Sequence, residues 1–216
     1  MNNCSRKYDG PIKSKERTSQ KILDAVGEII KEKGYAGLKI KNVAERAKVN
    51  RKTLYDCFGN FDNLVETYIK RKDYYMSFRD QADQLVNKYN KESARELVQT
   101  LLVGQLENFS TDKEMQKILL WHLSEDNPLL LAINEERERI GGKFMELSIE
   151  EFAGTNVDIR LRIGLLIGGI YQLVYNAKKE KGLFCGIDLA NKDTLDRLRL
   201  TLIQMIGEAF EKGKHP

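Results

Sequence analysis

The chain has 216 residues, with 36 Lys/Arg against 32 Asp/Glu and a formal net charge of +4. That length holds one large or two small domains with an ample core. The charge is uneven: residues 1–57 carry 14 Lys/Arg against 7 Asp/Glu, a net of +7, which leaves −3 for the remainder. A basic head on a near-neutral body suits phosphate binding at one end, although a solvated lysine-rich surface accounts equally well for the charge alone.

Taken in chain order, residues 1–14 read as a flexible basic arm without an apolar run, so they are no signal peptide. Such an arm is expected to be disordered off DNA and able to reach a minor groove. Thr18 to Lys33 carries Ile22, Leu23, Val26, Ile29 and Ile30 at helical spacing, closed by Gly34. From Ile40, the apolar positions Ile40, Val43, Ala44 and Ala47 follow i, i+3, i+4, i+7. Asn50 then offers an N-cap for a second short helix, its side chain accepting the amide of Lys52 or Thr53. Ala44 sits where the two short helices must approach closely. This is the pattern of a helix-turn-helix, whose second helix fits the major groove of DNA. A helix-turn-helix pair buries too little surface to fold alone, and Thr18–Lys33 is the expected support. With that motif present, the basic head reads as a phosphate-binding surface.

Arg51, Lys52 and Thr53 fall on the first turn of the second helix, where side chains reach base edges and arginine can pair with guanine. Lys39 and Lys41 begin the preceding helix and Lys48 stands in the turn. All three add charge for the DNA backbone, helped in the first two by the helix dipole. Tyr55 fits either a core tyrosine or a phosphate contact by spacing.

Residues 15–70 resemble the DNA-binding domain of the tetracycline-repressor-like (TetR) family of bacterial transcription regulators. The resemblance rests on Ile22–Ile30, Gly34-Tyr35, Val43-Ala44, Ala47, Val49 and Thr53-Leu54-Tyr55 with Phe58. It implies an all-α fold: an N-terminal three-helix domain with the helix-turn-helix over 15–60, and a helical regulatory and dimerisation domain over 61–216. It also turns Tyr55 toward phosphate. Three positions depart from the usual pattern. Lys48 replaces a turn glycine, Lys39 a capping threonine, and Phe61 a lysine near phosphate.

Beyond Phe61 only Pro128 and Pro216 interrupt the chain, and helices are expected over about 61–89, 92–108, 112–124, 128–152, 157–181 and 192–212. Asn60 and Asn127-Pro128 read as helix starts. Gly182 reads as a stop, with Lys178, Lys179 and Lys181 near the negative helix end. Ile163–Tyr175 is apolar nearly all round, so it must be buried on more than one face. Its 13 residues fall short of the ~20 that span a bilayer, so no membrane partner is expected. Gly164 and Gly168 permit close helix approach, and Leu198, Leu202, Met205 and Ile206 line the last helix, with Leu200 and Ile203 widening the stripe. A monomeric core and a two-fold interface both fit these helices. The family resemblance implies a homodimer, and Ile163, Leu166, Ile167, Ile170, Leu198, Leu202, Met205 and Ile206 are its expected interface. Paired heads ~34 Å apart would read a near-palindromic operator on double-stranded DNA.

The same resemblance implies a small-molecule ligand in the body. Trp121, His122, Phe109, Met115, Tyr171 and Tyr175 are the candidate lining, and their mixture points to an apolar or amphipathic molecule. Core packing accounts for the Trp121-His122 pair as simply. Cys4, Cys57 and Cys185 are odd in number and far apart, so neither a disulfide framework nor a metal cluster is indicated and a cytoplasmic home is expected. Phosphate loops, nucleophile elbows, Cys-x-x-Cys and His-x-x-x-His are missing, so no enzyme, metal or cofactor is expected. Glu135-Glu136-Arg137-Glu138-Arg139 reads as a solvated helix face. The resulting expectation is a ligand-responsive repressor. The alternative is a helical interaction protein of the same fold that binds a protein partner.

Overall fold

A computed structural model describes residues 11–80, 82–89, 94–177 and 182–214. The described residues form ten α-helices and no strand beyond one isolated bridge between Phe184 and Ile187. The all-α expectation therefore holds. The expected arm over 1–14 lies outside the described residues up to 10, and its last four open the first helix, α1 (Pro11–Lys33).

Two compact units divide the chain. The first comprises the described residues up to Lys72 together with Lys117–Leu131. Within it, Ile22, Leu23, Val26, Ile29 and Ile30 of α1 are all buried, as their spacing requires. Gly34, at φ 66, ends α1 as its amide reaches back to Ile30 O at 2.9 Å. A 3-10 turn over Tyr35–Gly37 then leads to α2 (Ile40–Ala47), α3 (Arg51–Phe58) and α4 (Phe61–Lys72). Gly59 closes α3 at φ 79, and Asn60 caps α4 by accepting the Asn63 amide at 2.7 Å. Leu54, Leu64 and Ile69 are fully buried. Each such side chain contributes about 1.5–3 kcal/mol of transfer free energy. The unit extends to Lys72, past the residue 60 boundary drawn from sequence, because α4 packs on α1.

The second unit comprises Asp73–Gln116 and the described residues from Ala132. The helix expected over 61–89 breaks at Asp73. That carboxylate is 2% exposed, and its Oδ1 accepts the amides of Tyr75 and Met76 at 2.9 and 3.1 Å. This local bond pattern competes with helix continuation, and a short 3-10 turn (Met76–Phe78) follows. Then come α5 (Ala82–Lys88), α6 (Ala94–Thr111), α7 (Lys113–Ser124), α8 (Pro128–Ile149), α9 (Ile159–Asn176) and α10 (Lys192–Gly213). Side-chain caps start several of them. Asp112 accepts the amides of Glu114 and Met115, Asp158 that of Leu161, and Asn191 that of Asp193. Asn127 accepts the amide of Leu129 ahead of the expected Pro128 start. The stop assigned to Gly182 falls earlier, at Asn176, while Lys178, Lys179 and Lys181 lie outside the described residues. The core of this unit joins Leu97, Leu102 and Leu106 of α6 to Ile170 and Val174 of α9 and to Leu202, Ile206 and Phe210 of α10.

One close approach fixes α1 against α4. A Cβ added at Gly27 would stand 2.5 Å from the hydroxyl of Tyr68, a buried residue of α4. Overpacking of this kind costs ~1–3 kcal/mol, only partly offset by the ~1 kcal/mol of helix propensity gained over glycine. Gly27→Ala is therefore expected to lower stability, read as a lower denaturation midpoint at unchanged denaturant slope.

Candidate nucleic-acid interface

The reading geometry begins with how α2 is held. Arg46 donates from Nη1 and Nη2 to Glu32 at 2.8 and 2.7 Å, and from Nη1 to Glu28 at 2.9 Å, so it brackets α2 onto α1. The hydrogen bond from Arg46 holds the Glu32 carboxyl below its ordinary value of 4.5, against an opposing effect of burial. Fork-shaped pairing is what arginine, and not lysine, supplies. Composition alone did not single out Arg46. Its signal was an arginine in the last turn of one short helix facing glutamates four apart on the helix before it.

Lys48 ends α2 in the left-handed region, φ 54 and ψ 43, where a glycine is the unstrained residue. Val49 N bonds Ala44 O at 3.0 Å and Lys48 N bonds Glu45 O at 3.2 Å, a paired closure that satisfies the last carbonyls of α2. Lys39 precedes α2 in extended conformation and makes no side-chain cap. Asn50 caps α3 as expected, its Oδ1 accepting Thr53 N at 2.8 Å and Thr53 Oγ1 at 3.0 Å. The hydroxyl of Thr53 is thereby committed to the cap, whereas Arg51 and Lys52 are exposed on the same turn. Lys39, Lys41 and Lys48 are exposed as well, and Lys41 makes only a 3.9 Å surface pair with Glu45, of the weak kind. Tyr55 is 46% exposed, so its ring is not a core residue. Val43, Ala44 and Leu54 close the angle between α2 and α3, Ala44 being 6% exposed at the close approach.

Residues 22–68 match the family profile described as bacterial regulatory proteins, tetR family. By this match, residues 22–68 form a DNA-binding head of the tetR type. A fold shared with solved regulators extends over most of the chain. The fatty acid degradation regulator FadR from Bacillus halodurans superposes with a TM-score of 0.63 at 22% identity, covering 91% of this chain and 97% of that one. FadR from Bacillus subtilis, in complex with stearoyl-CoA, gives 0.55 at 18% identity, covering 87% and 96%. A TetR-like transcriptional regulator from Rhodococcus sp. RHA1 gives 0.58 at 17%, covering 90% and 96%. No curated protein matches the chain. The chain thus carries a DNA-binding head like that of tetR-family regulatory proteins, and among its described residues no helix is long and apolar enough to cross a membrane.

The residues nominated in the body fall into two groups. Phe109, Tyr171 and Tyr175 meet in the second unit, with Phe109 4.8 Å from Tyr171 and 5.7 Å from Tyr175 between ring centroids. Met115 is buried in the same unit. Trp121 and His122 belong to the first unit, where Trp121 stacks on Tyr35 at 3.5 Å. Of the eight nominated interface residues, Ile163, Ile170, Leu202 and Ile206 are buried inside the second unit itself. Leu166, Ile167 and Leu198 are half-buried and Met205 is exposed. In the charged run at 135–139, Glu135, Glu138 and Arg139 are exposed as a solvated face requires, but Arg137 is turned inward onto Asp73, its Nε 3.0 Å from Oδ2. Its side chain is only 17% exposed.

Two outcomes follow for the head. Lys48→Gly is expected to raise its stability by about 1 kcal/mol through relief of the left-handed backbone, read as a higher thermal midpoint. Arg46→Met is expected to lower that midpoint near neutral pH. Since Glu32 is held below its ordinary value, its contribution is present above 4.5 and lost as the pH falls below that value. The gap between wild type and Arg46→Met should therefore narrow in acid, which a pH series of melts reads directly.

Proposed function

We propose that the chain is a homodimeric repressor that binds a near-palindromic operator and is released by a small apolar or amphipathic ligand held in its second unit. The observation that carries this reading is the first turn of α3. Asn50 and Thr53 are spent on the cap, while Arg51 and Lys52 extend from it with no described partner. In this reading Arg51 and Lys52 read base edges. Lys39, Lys41, Lys48 and Tyr55 hold phosphates on either side, and Thr53 and Asn50 fix the helix start.

Self-association is supported by a face that the second unit leaves open. On α9 Leu161, Gly164, Leu165, Gly168 and Gln172 are all exposed, a continuous helical stripe, with Leu165 76% accessible. Nothing stands within 4 Å of a Cβ built at Gly164 or Gly168. On α10 Leu200 and Met205 are exposed likewise. The partner helices would thus meet this stripe, adjoining Leu166, Ile167 and Leu198, while Ile163, Ile170, Leu202 and Ile206 hold each copy together. Ligand release needs only a preference of the ligand for one arrangement of the paired heads over another. The stearoyl-CoA bound by the Bacillus subtilis protein supports an amphipathic class.

The reading is tested by the DNA flanking the chain's own coding region, searched for an inverted repeat and titrated by gel mobility shift. Specific binding is expected to survive salt that strips binding to scrambled duplex. Arg51→Ala should relax sequence preference by ~1–3 kcal/mol at one base position, whereas Lys41→Ala should weaken all duplexes alike and flatten the salt slope. If both variants bind every duplex as the wild type does, the placement of the reading helix is wrong. Leu165→Glu should give a monomer mass by light scattering at micromolar protein, and a wild-type monomer would refute the dimer.

A further inference from the structure

The connection between α9 and α10 carries a tip that its own unit leaves bare. Phe184 N donates to Ile187 O at 3.2 Å and Ile187 N to Phe184 O at 2.9 Å, which closes a two-residue hairpin turn. Cys185 and Gly186 between them stand at φ 51 and 72, positive at both central positions as such turns require. The tip is thereby held in one shape, and that shape presents apolar side chains to water. Leu183, Phe184 and Ile187 are 60%, 38% and 36% exposed. Single exposed apolar residues are ordinary, but three gathered on one tight turn form a contact patch.

A place of matching chemistry lies at the other end of the same helices. Where the chain passes from α8 to α9 it lines an open pocket of about 470 Å³, with Ile149, Phe152, Val157 and Ile159 as its apolar residues. Phe152 also packs edge-on against Phe210 of α10, 4.9 Å between ring centroids. It stands so close to Gly213 that a Cβ there would fall 2.7 Å from its ring. The pocket therefore sits where α9 begins and α10 finishes, and the hairpin where α9 finishes and α10 begins. The 18 residues of α9 span about 27 Å, so tip and pocket stay apart within one chain.

Resting on the homodimer reading above, we propose that the hairpin of each copy fills the pocket of its partner. A two-fold contact is reciprocal, and an axis across the helices pairs the two α9 helices antiparallel. The exposed stripe of α9 runs from Leu161 to Gln172. Setting Leu161 opposite the partner's Gln172 sets Val157, in the pocket, opposite the partner's Asn176, where α9 ends. The partner's Leu183 follows that end by seven residues, so its hairpin arrives at this pocket. Charge agrees with the pairing. Arg160 on the pocket rim is exposed with no described partner, while Asp158 beside it is turned onto the Leu161 amide at 2.9 Å. Asp188, next after the tip, is exposed. Its Oδ1 accepts the Ala190 amide, which leaves Oδ2 for the partner's Arg160.

Cys185 is exposed on the tip and serves as the probe. In the full chain carrying Cys4→Ser and Cys57→Ser, adding Asn156→Cys at the pocket rim is expected to give a covalent dimer under mild oxidation. Its yield should not depend on protein concentration, and adding Cys185→Ser should abolish it. Without Asn156→Cys no crosslink is expected, because antiparallel helices hold the two tips apart. Leu183→Ser together with Phe184→Ser should raise the dimer dissociation constant about ten-fold or more, at unchanged far-ultraviolet dichroism. A crosslink between the two Cys185 thiols overturns the proposal, since it puts the tips side by side. So does a dimer that fails to crosslink through Asn156→Cys, or one whose dissociation is unmoved by the tip substitutions. A monomer mass for the wild type defeats the dimer reading itself, which these crosslinking outcomes leave standing.

Discussion

The head depends on one apolar stripe. Two helices of eight residues cannot hold an angle to each other by their own contacts. Here Val43, Ala44 and Leu54 settle onto Ile22, Val26, Ile29 and Ile30, all buried on α1. The stripe supplies burial, and burial has no direction, so a second interaction has to fix orientation. The Arg46 fork onto Glu28 and Glu32 does that with three charge-assisted bonds. α4 packs on the same helix, with Tyr68 seated against Gly27. One amphipathic helix thus orients every side chain expected to touch DNA, and a strained lysine turn is tolerated because its surroundings over-determine it.

The second unit works by a different economy of faces. α9 is apolar nearly all round, but its two sides have different duties. Ile163, Ile170 and Val174 close the unit's own core, while Leu161, Leu165 and the glycines between them remain uncovered. Polar side chains are drawn inward where Asp73 pairs with Arg137 and Gln105 donates to Tyr171, and Gln116 and Ser148 are buried in the same unit. Such a set is costly to build unless every member is satisfied.

Much of this was legible in the sequence. The stripe of α1, the Asn50 cap and most of the helical plan follow from spacing and local chemistry, and the family resemblance marked Lys48 as standing where a turn glycine is usual. These are short-range rules. What escaped was long-range. The helix expected across 61–89 breaks at Asp73, whose Oδ1 takes the amides of Tyr75 and Met76 while its Oδ2 takes Arg137, 64 residues away, and no window of the sequence contains that pair. The same pairing turns Arg137 inward out of a charge run whose Glu135, Glu138 and Arg139 stay exposed. The nominated interface residues were chosen for being apolar, and in a helix apolar on all sides that criterion cannot separate core from surface. The glycines at 164 and 168 carried that distinction, since small residues mark the side where another backbone can come close.

The stack of Trp121 on Tyr35 has a practical consequence. Trp121 is the sole tryptophan of the chain, and both rings belong to the unit that carries the reading helices. Its indole Nε1 also donates to Glu125 at 3.1 Å, so ring and dipole are both fixed. Intrinsic emission excited at the red edge of the aromatic band is therefore a built-in reporter for the head alone, with no label and no engineered residue. Denaturation followed by that emission monitors the first unit, while far-ultraviolet dichroism averages over all ten helices. A separation of the two curves would measure directly whether the units melt together.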